Sequence, residues 1–128
     1  MQSTWDYYFR GQGQGPLLVD ARLCTEVGAT GERHLDCLTE LPGGDAKAGT
    51  TVYVWQSYLV PRGDTVDDLR VEVRQGDVLR ATRDVTVRGE GWRSRSSVKV
   101  TLGRPGTWTL SILRGNQTLR RFEVKVSP

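Results

Sequence analysis

Residues 92–102 read WRSRSSVKVTL, and the reading of this stretch decides the fold. Trp92, Ser94, Ser96, Val98, Val100 and Leu102 fall at even positions, with Arg93, Arg95, Lys99 and Thr101 between them. Successive side chains of an extended strand point to opposite faces, so the stretch has one dry face and one wet, basic face. Trp108, Leu110 and Ile112 repeat the pattern, with Thr107, Thr109 and Ser111 as polar partners.

The same spacing runs outward in both directions. Leu17, Val19, Ala21, Leu23 and Val27 mark a first strand, and residues 33–41 a second that closes at Pro42-Gly43-Gly44-Asp45. Residues 50–60 form the most β-prone segment. Leu69, Val71 and Val73 alternate with Arg70, Glu72 and Arg74, and Leu79, Ala81, Val85 and Val87 share one face of the strand that follows Gln75-Gly76-Asp77. Gly115-Asn116 is a two-residue hairpin signal, because both residue types tolerate positive φ. Parity slips between Leu119 and Phe122, which predicts a β-bulge near Arg120-Arg121. Short strands punctuated this often give an all-β, immunoglobulin-like antiparallel β-sandwich of seven to eight strands. Residues 1–15, with Trp5, Tyr7, Tyr8, Phe9 and a Gly-Gln hinge, read as an N-terminal arm or linker; residues 16–128 read as a single sandwich domain.

Bulk composition limits the function classes. A chain of 128 residues suits one domain with one core. A net charge of +3 favours acidic partners only weakly. No apolar run approaches the roughly 18 residues of a membrane-spanning helix. The start, Met1-Gln2-Ser3-Thr4-Trp5-Asp6, lacks the basic and apolar regions of a secretory signal. Either the protein is cytosolic, or a signal or anchor was removed ahead of Met1.

Cys24 and Cys37 stand too far apart for a redox Cys-x-x-Cys pair, and with a single histidine they make no closed zinc site. They form either a disulfide tying the first two strands, which implies an oxidising compartment, or two small buried thiols. Parity speaks against the bond, since Cys24 shares its face with Asp20 and Arg22, and Cys37 with Leu35 and Leu41.

Two surfaces are candidate partner-binding sites. In residues 50–60 the face of Val52, Val54, Tyr58 and Val60 is backed by Tyr53, Trp55 and Leu59. That second face is either covered by the arm or a long loop, or an exposed aromatic patch for a protein or glycan. The outward Arg93, Arg95 and Lys99 form a basic stripe, either a solvated face or a contact for an acidic partner. Nucleic acid is disfavoured, because stacking platforms need solvent-facing aromatics and Trp92 and Trp108 carry inward parity. The chain lacks a Gly-x-Ser-x-Gly elbow, a His-Glu-x-x-His helix, a phosphate loop and a calcium loop. No catalytic residue, metal or cofactor is expected.

Several segments together resemble one known family: Leu23-Cys24, Val52-Tyr53-Val54-Trp55, Trp92-Arg93-Ser94, and Gly106-Thr107-Trp108-Thr109-Leu110 ahead of Phe122-Glu123-Val124. This is an uncharacterised bacterial domain found near the C-termini of membrane-associated proteins, particularly in proteobacteria, and the resemblance covers residues 16–126. It implies an immunoglobulin-like sandwich outside the cytoplasm with no established activity and no catalytic residues to carry over. The chain departs from the family in having Cys37, and in placing Asp67-Asp68-Leu69 where members often carry a histidine, so no ligand site transfers. The expectation is a non-catalytic protein-binding module of an extracytoplasmic protein, with a carbohydrate- or cell-wall-binding module and a structural oligomerising adaptor as alternatives. Membrane attachment would come only through a segment outside this chain.

Overall fold

A computed structural model of the protein describes residues 17–28, 36–89 and 93–128. The expected arm, Trp92 and the side chain of Arg93 lie outside the described residues. Nine strands form among the described residues: β1 (Leu17–Val27), β2 (Cys37–Glu40), β3 (Asp45–Lys47), β4 (Thr50–Leu59), β5 (Thr65–Gln75), β6 (Val78–Arg88), β7 (Arg93–Leu102), β8 (Gly106–Arg114) and β9 (Gln117–Ser127). They build a two-sheet sandwich, with four strands in the order β2-β1-β4-β7 and five in the order β3-β9-β8-β5-β6.

The strand beyond the seven or eight expected is β3. Its three residues are too few for alternation to show, and they pair in parallel with β9, Ala46 opposite Val126. Every other ladder is antiparallel. The two-residue turns fall where the sequence put them. Gly76 (φ 56°) joins β5 to β6, and Gly115 (φ 58°) joins β8 to β9. The parity slip in β9 is a bulge at Leu119, since Ile112 faces Arg120 while Leu113 faces Thr118.

The alternation of residues 92–102 holds in space. Ser94, Val98, Val100 and Leu102 are buried and Arg95 and Lys99 are exposed. The inner faces of the two sheets meet in one core. Val52, Val54 and Tyr58 of β4 and Leu102 of β7 pack against Leu69, Val71 and Val73 of β5, Trp108, Leu110 and Ile112 of β8, and Val124 of β9. This interdigitation of alternate residues is what the sandwich gains over isolated sheets. The core also holds a short polar chain. The Tyr58 hydroxyl donates to Gln56 Oε1 at 2.9 Å, and Gln56 Nε2 donates to the Val54 carbonyl at 2.8 Å, with both side chains fully buried.

Cys24 and Cys37 are bonded, with their Cα atoms 5.8 Å apart. The parity argument against this bond fails because the β1–β2 ladder is irregular. Cys24 faces Glu40, Glu26 faces Thr39 and Val27 faces Cys37, with register shifts on both sides of Glu26. Each shift re-phases the alternation and brings Cys37 onto the face of Cys24.

The sandwich has two unlike sides. One side ends in the short strands β2 and β3, of four and three residues. The other ends in β6 and β7, of eleven and ten residues, whose outer edges pair with no strand among the described residues.

Candidate functional site

The Tyr53/Trp55/Leu59 face is not an exposed aromatic patch. Trp55 is only 8% exposed. It sits on the outer face of the four-stranded sheet opposite Arg22 of β1, whose guanidinium carbon lies 5.8 Å from the indole centroid. Tyr53 is half-buried, flanked by Cys24 of the disulfide on one side and Lys99 on the other. Leu59 alone of the three is well exposed. Among the described residues the contact over the indole comes from the neighbouring strand, through Arg22; the arm that the sequence reading offered as a cover lies outside the described residues. Trp55 is part of the packing.

The basic stripe divides as well. Arg95 is ion-paired with Asp36, the residue ahead of β2. Strands β2 and β7 are opposite edges of the sheet, so this pair links its two borders. Lys99 has a different role. It lies at the rim of an open cleft of about 420 Å³ between the edges of β6 and β7, together with Arg80, Arg83 and Arg104.

Each cation reaches this cleft by a separate local device. In β6, Val73 faces Ala81 and Arg74 faces Leu79, so Arg80 is the extra residue of a bulge. Bulges re-aim side chains; here the Arg80 Nε donates to Gln75 Oε1 at 2.9 Å. Arg83 faces Val71 and sits in the inward register between Ala81 and Val85, yet it is exposed, on an edge strand beyond which no strand lies among the described residues. Lys99 projects from the outward register of β7, opposite Tyr53. Arg104 belongs to the β7–β8 connection, and its carbonyl accepts the Trp108 Nε1–H at 2.8 Å, which fixes that loop on the buried indole.

The cleft floor is apolar, formed by Val73, Ala81, Val100 and Trp108. At its far end the two sheets are laced together, since Ser94 Oγ donates to the Arg88 carbonyl at 2.7 Å. The gap opens away from that lace. None of the four cations has an ion-pair partner among the described residues, whereas Arg22, Arg70, Arg74, Arg95 and Arg114 each face a carboxylate. Unneutralised cations around a low-dielectric floor focus a positive field on the opening. Among the described residues the lining offers cations, the Thr101 hydroxyl and apolar carbon, and no carboxylate, imidazole or thiol. Its chemistry is that of holding an anion. Among the described residues no group of three or more His, Cys, Asp or Glu side chains is placed to hold a metal ion.

Of this cluster, sequence reasoning singled out Lys99; Arg83 and Arg104 escaped it. A signal for Arg83 was present, since an arginine interrupts the inward row Ala81, Val85, Val87. Arg104 left none, because its position depends on Trp108.

No family model matches the chain, and no curated protein matches it. Solved structures do. A β-glucosidase from Listeria innocua, solved in complex with glucose, aligns with a TM-score of 0.51 at 12% identity over 88% of this chain. The chain spans 16% of the glucosidase's length. The Pseudomonas fluorescens alkylpurine DNA glycosylase AlkC, bound to DNA containing an abasic site analog, aligns with a TM-score of 0.54 at 7% identity over 96% of this chain and 37% of its own. At such identities these likenesses concern the sandwich fold alone.

Proposed function

We propose that this protein is a non-catalytic recognition module of a bacterial extracytoplasmic protein, and that it takes an extended segment of a protein partner along its open side. The observation that carries the reading is the inequality of its edges. Natural sheets blunt their edges with very short strands, as β2 and β3 do here. Strands β6 and β7 are long and their outer edges pair with no strand among the described residues, and on an antiparallel edge every second residue turns its N–H and C=O outward. Such a row is the template for β-strand addition. The Cys24–Cys37 bond supports an oxidising compartment, and the resemblance to a membrane-associated bacterial domain points the same way.

The carbohydrate-binding alternative draws less support. It needs exposed aromatic rings for sugars to stack on, and among the described residues Trp55, Tyr58 and Trp108 are buried and Tyr53 and Phe122 half-buried. The oligomerising alternative would bring cationic edges against themselves. The test is selection of peptides from an unbiased library on the full chain, followed by amide chemical-shift mapping. Selected peptides should shift amides of β6 or β7. Binders that map to the Tyr53–Leu59 face, or glycan-array binding without peptide binding, would refute the proposal.

A further inference from the structure

Resting on the strand-addition reading, we propose that the segment received between β6 and β7 is acidic, with its carboxylates held by Arg80, Arg83, Lys99 and Arg104. Three observations converge. The four cations ring one opening and none is paired with a carboxylate among the described residues. The cleft, at about 420 Å³, lies in the size range of ligand sites and is lined by residues of both edge strands. Arg83 stands in the inward register of an edge strand, where an apolar residue would otherwise extend the core.

An inward-facing charge on an edge ordinarily keeps other strands away. That repulsion is selective. It excludes a second copy of this chain, whose corresponding edges carry the same cations, and it excludes an apolar strand, which would bury the guanidinium unpaired. A strand with a carboxylate opposite Arg83 meets neither penalty. The same residue thus protects the edge from unwanted partners and admits one class.

A peptide fits better than other polyanions. Single-stranded nucleic acids and sugar rings add affinity by stacking on exposed aromatics, and Trp108, the one aromatic lining the cleft among the described residues, is 4% exposed. A peptide brings backbone groups that the open edges can use.

The experiment titrates the full chain, labelled for amide NMR, with the peptide Thr-Glu-Val-Glu-Thr-Glu-Val-Glu and with its all-Gln counterpart. The acidic peptide should saturate, shift amides of β6 or β7, and lose roughly tenfold in affinity between about 50 mM and 200 mM salt. The double variant Arg83→Gln/Lys99→Gln should weaken it by about tenfold or more, and the Gln peptide should bind at least that much more weakly. All these side chains are exposed, so the variants should keep their amide spectra elsewhere; Arg104→Gln, in a loop, serves if the double variant does not fold. If the Gln peptide binds the same edge equally well and the variants change nothing, the acidic assignment falls and strand addition stands. If neither peptide shifts β6 or β7, both fall. If heparin or a single-stranded oligonucleotide displaces the acidic peptide from the cleft and binds more tightly, the occupant is a different polyanion and the peptide assignment is overturned.

Discussion

Replacing Tyr58 with Phe removes one oxygen atom from the centre of the sandwich, and its consequence can be worked out from the contacts that oxygen makes. The hydroxyl is the donor to Gln56 Oε1 at 2.9 Å, and both side chains are fully buried. The bond itself contributes about 1 kcal/mol net, and an acceptor left stranded in the core adds about 1–2 kcal/mol. Tyr58→Phe should therefore destabilise by about 2–3 kcal/mol, a fall in Tm of roughly 6–12 °C for a domain of this size. Gln56→Leu alone should cost at least as much, because it strands the hydroxyl and also gives up the bond to the Val54 carbonyl. The double variant should cost clearly less than the sum, with a coupling of about 1–2 kcal/mol. Urea unfolding at constant m-value measures each corner of the cycle. A pH series gives a second check. Burial raises the Tyr58 phenol above its ordinary value, so above about pH 10 the unfolded chain releases a proton that the folded one keeps. The stability owed to Tyr58 is complete below that pH and is lost as pH rises beyond it, by up to roughly 1.4 kcal/mol per unit. Tyr58→Phe should remove that part of the alkaline decline. A single-variant cost below about 0.5 kcal/mol with no coupling would refute the reasoning.

Four further outcomes are expected. Reducing the Cys24–Cys37 bond, whose cysteines are 13 positions apart, should cost about 3 kcal/mol, read as the difference between urea midpoints with and without reductant. Gly89→Ala should be among the most damaging single changes, because a Cβ there would lie 1.8 Å from the Pro61 carbonyl oxygen; a loss of about 3 kcal/mol or failure to fold is expected in thermal melts. Ser57→Ala should be neutral or stabilising by up to about 1 kcal/mol, since its buried hydroxyl has no hydrogen-bond partner among the described residues, and differential scanning calorimetry would detect it. Trp55→Ala should destabilise by about 3 kcal/mol while Leu59→Ala stays within about 0.5 kcal/mol, and denaturant melts of the pair distinguish a packing tryptophan from a surface one.

What the sequence determined by itself was everything that depends on neighbours along the chain. The two-residue period of Val98, Val100 and Leu102, and of Leu69, Val71 and Val73, set strand identity and inward face, because side-chain direction in a strand is a local property. The turns at Gly76 and Gly115 were equally local. Even the bulge in β9 was legible, one or two positions from where it falls. What only the tertiary structure decided is whatever rests on which strands are neighbours and where a ladder loses register. Two shifts beside Glu26 turned Cys37 toward Cys24 against the parity of the sequence, and β3 exists only because β9 offers it an edge. The position of Arg22 beside Trp55 converted an apparent surface aromatic into packing. The basic cleft is the clearest case, since Arg80, Arg83, Lys99 and Arg104 come from a bulge, an inward register, an outward register and a loop. No periodicity along one strand encodes that meeting, because the distance between two sheet edges is set by the core that holds the sheets together.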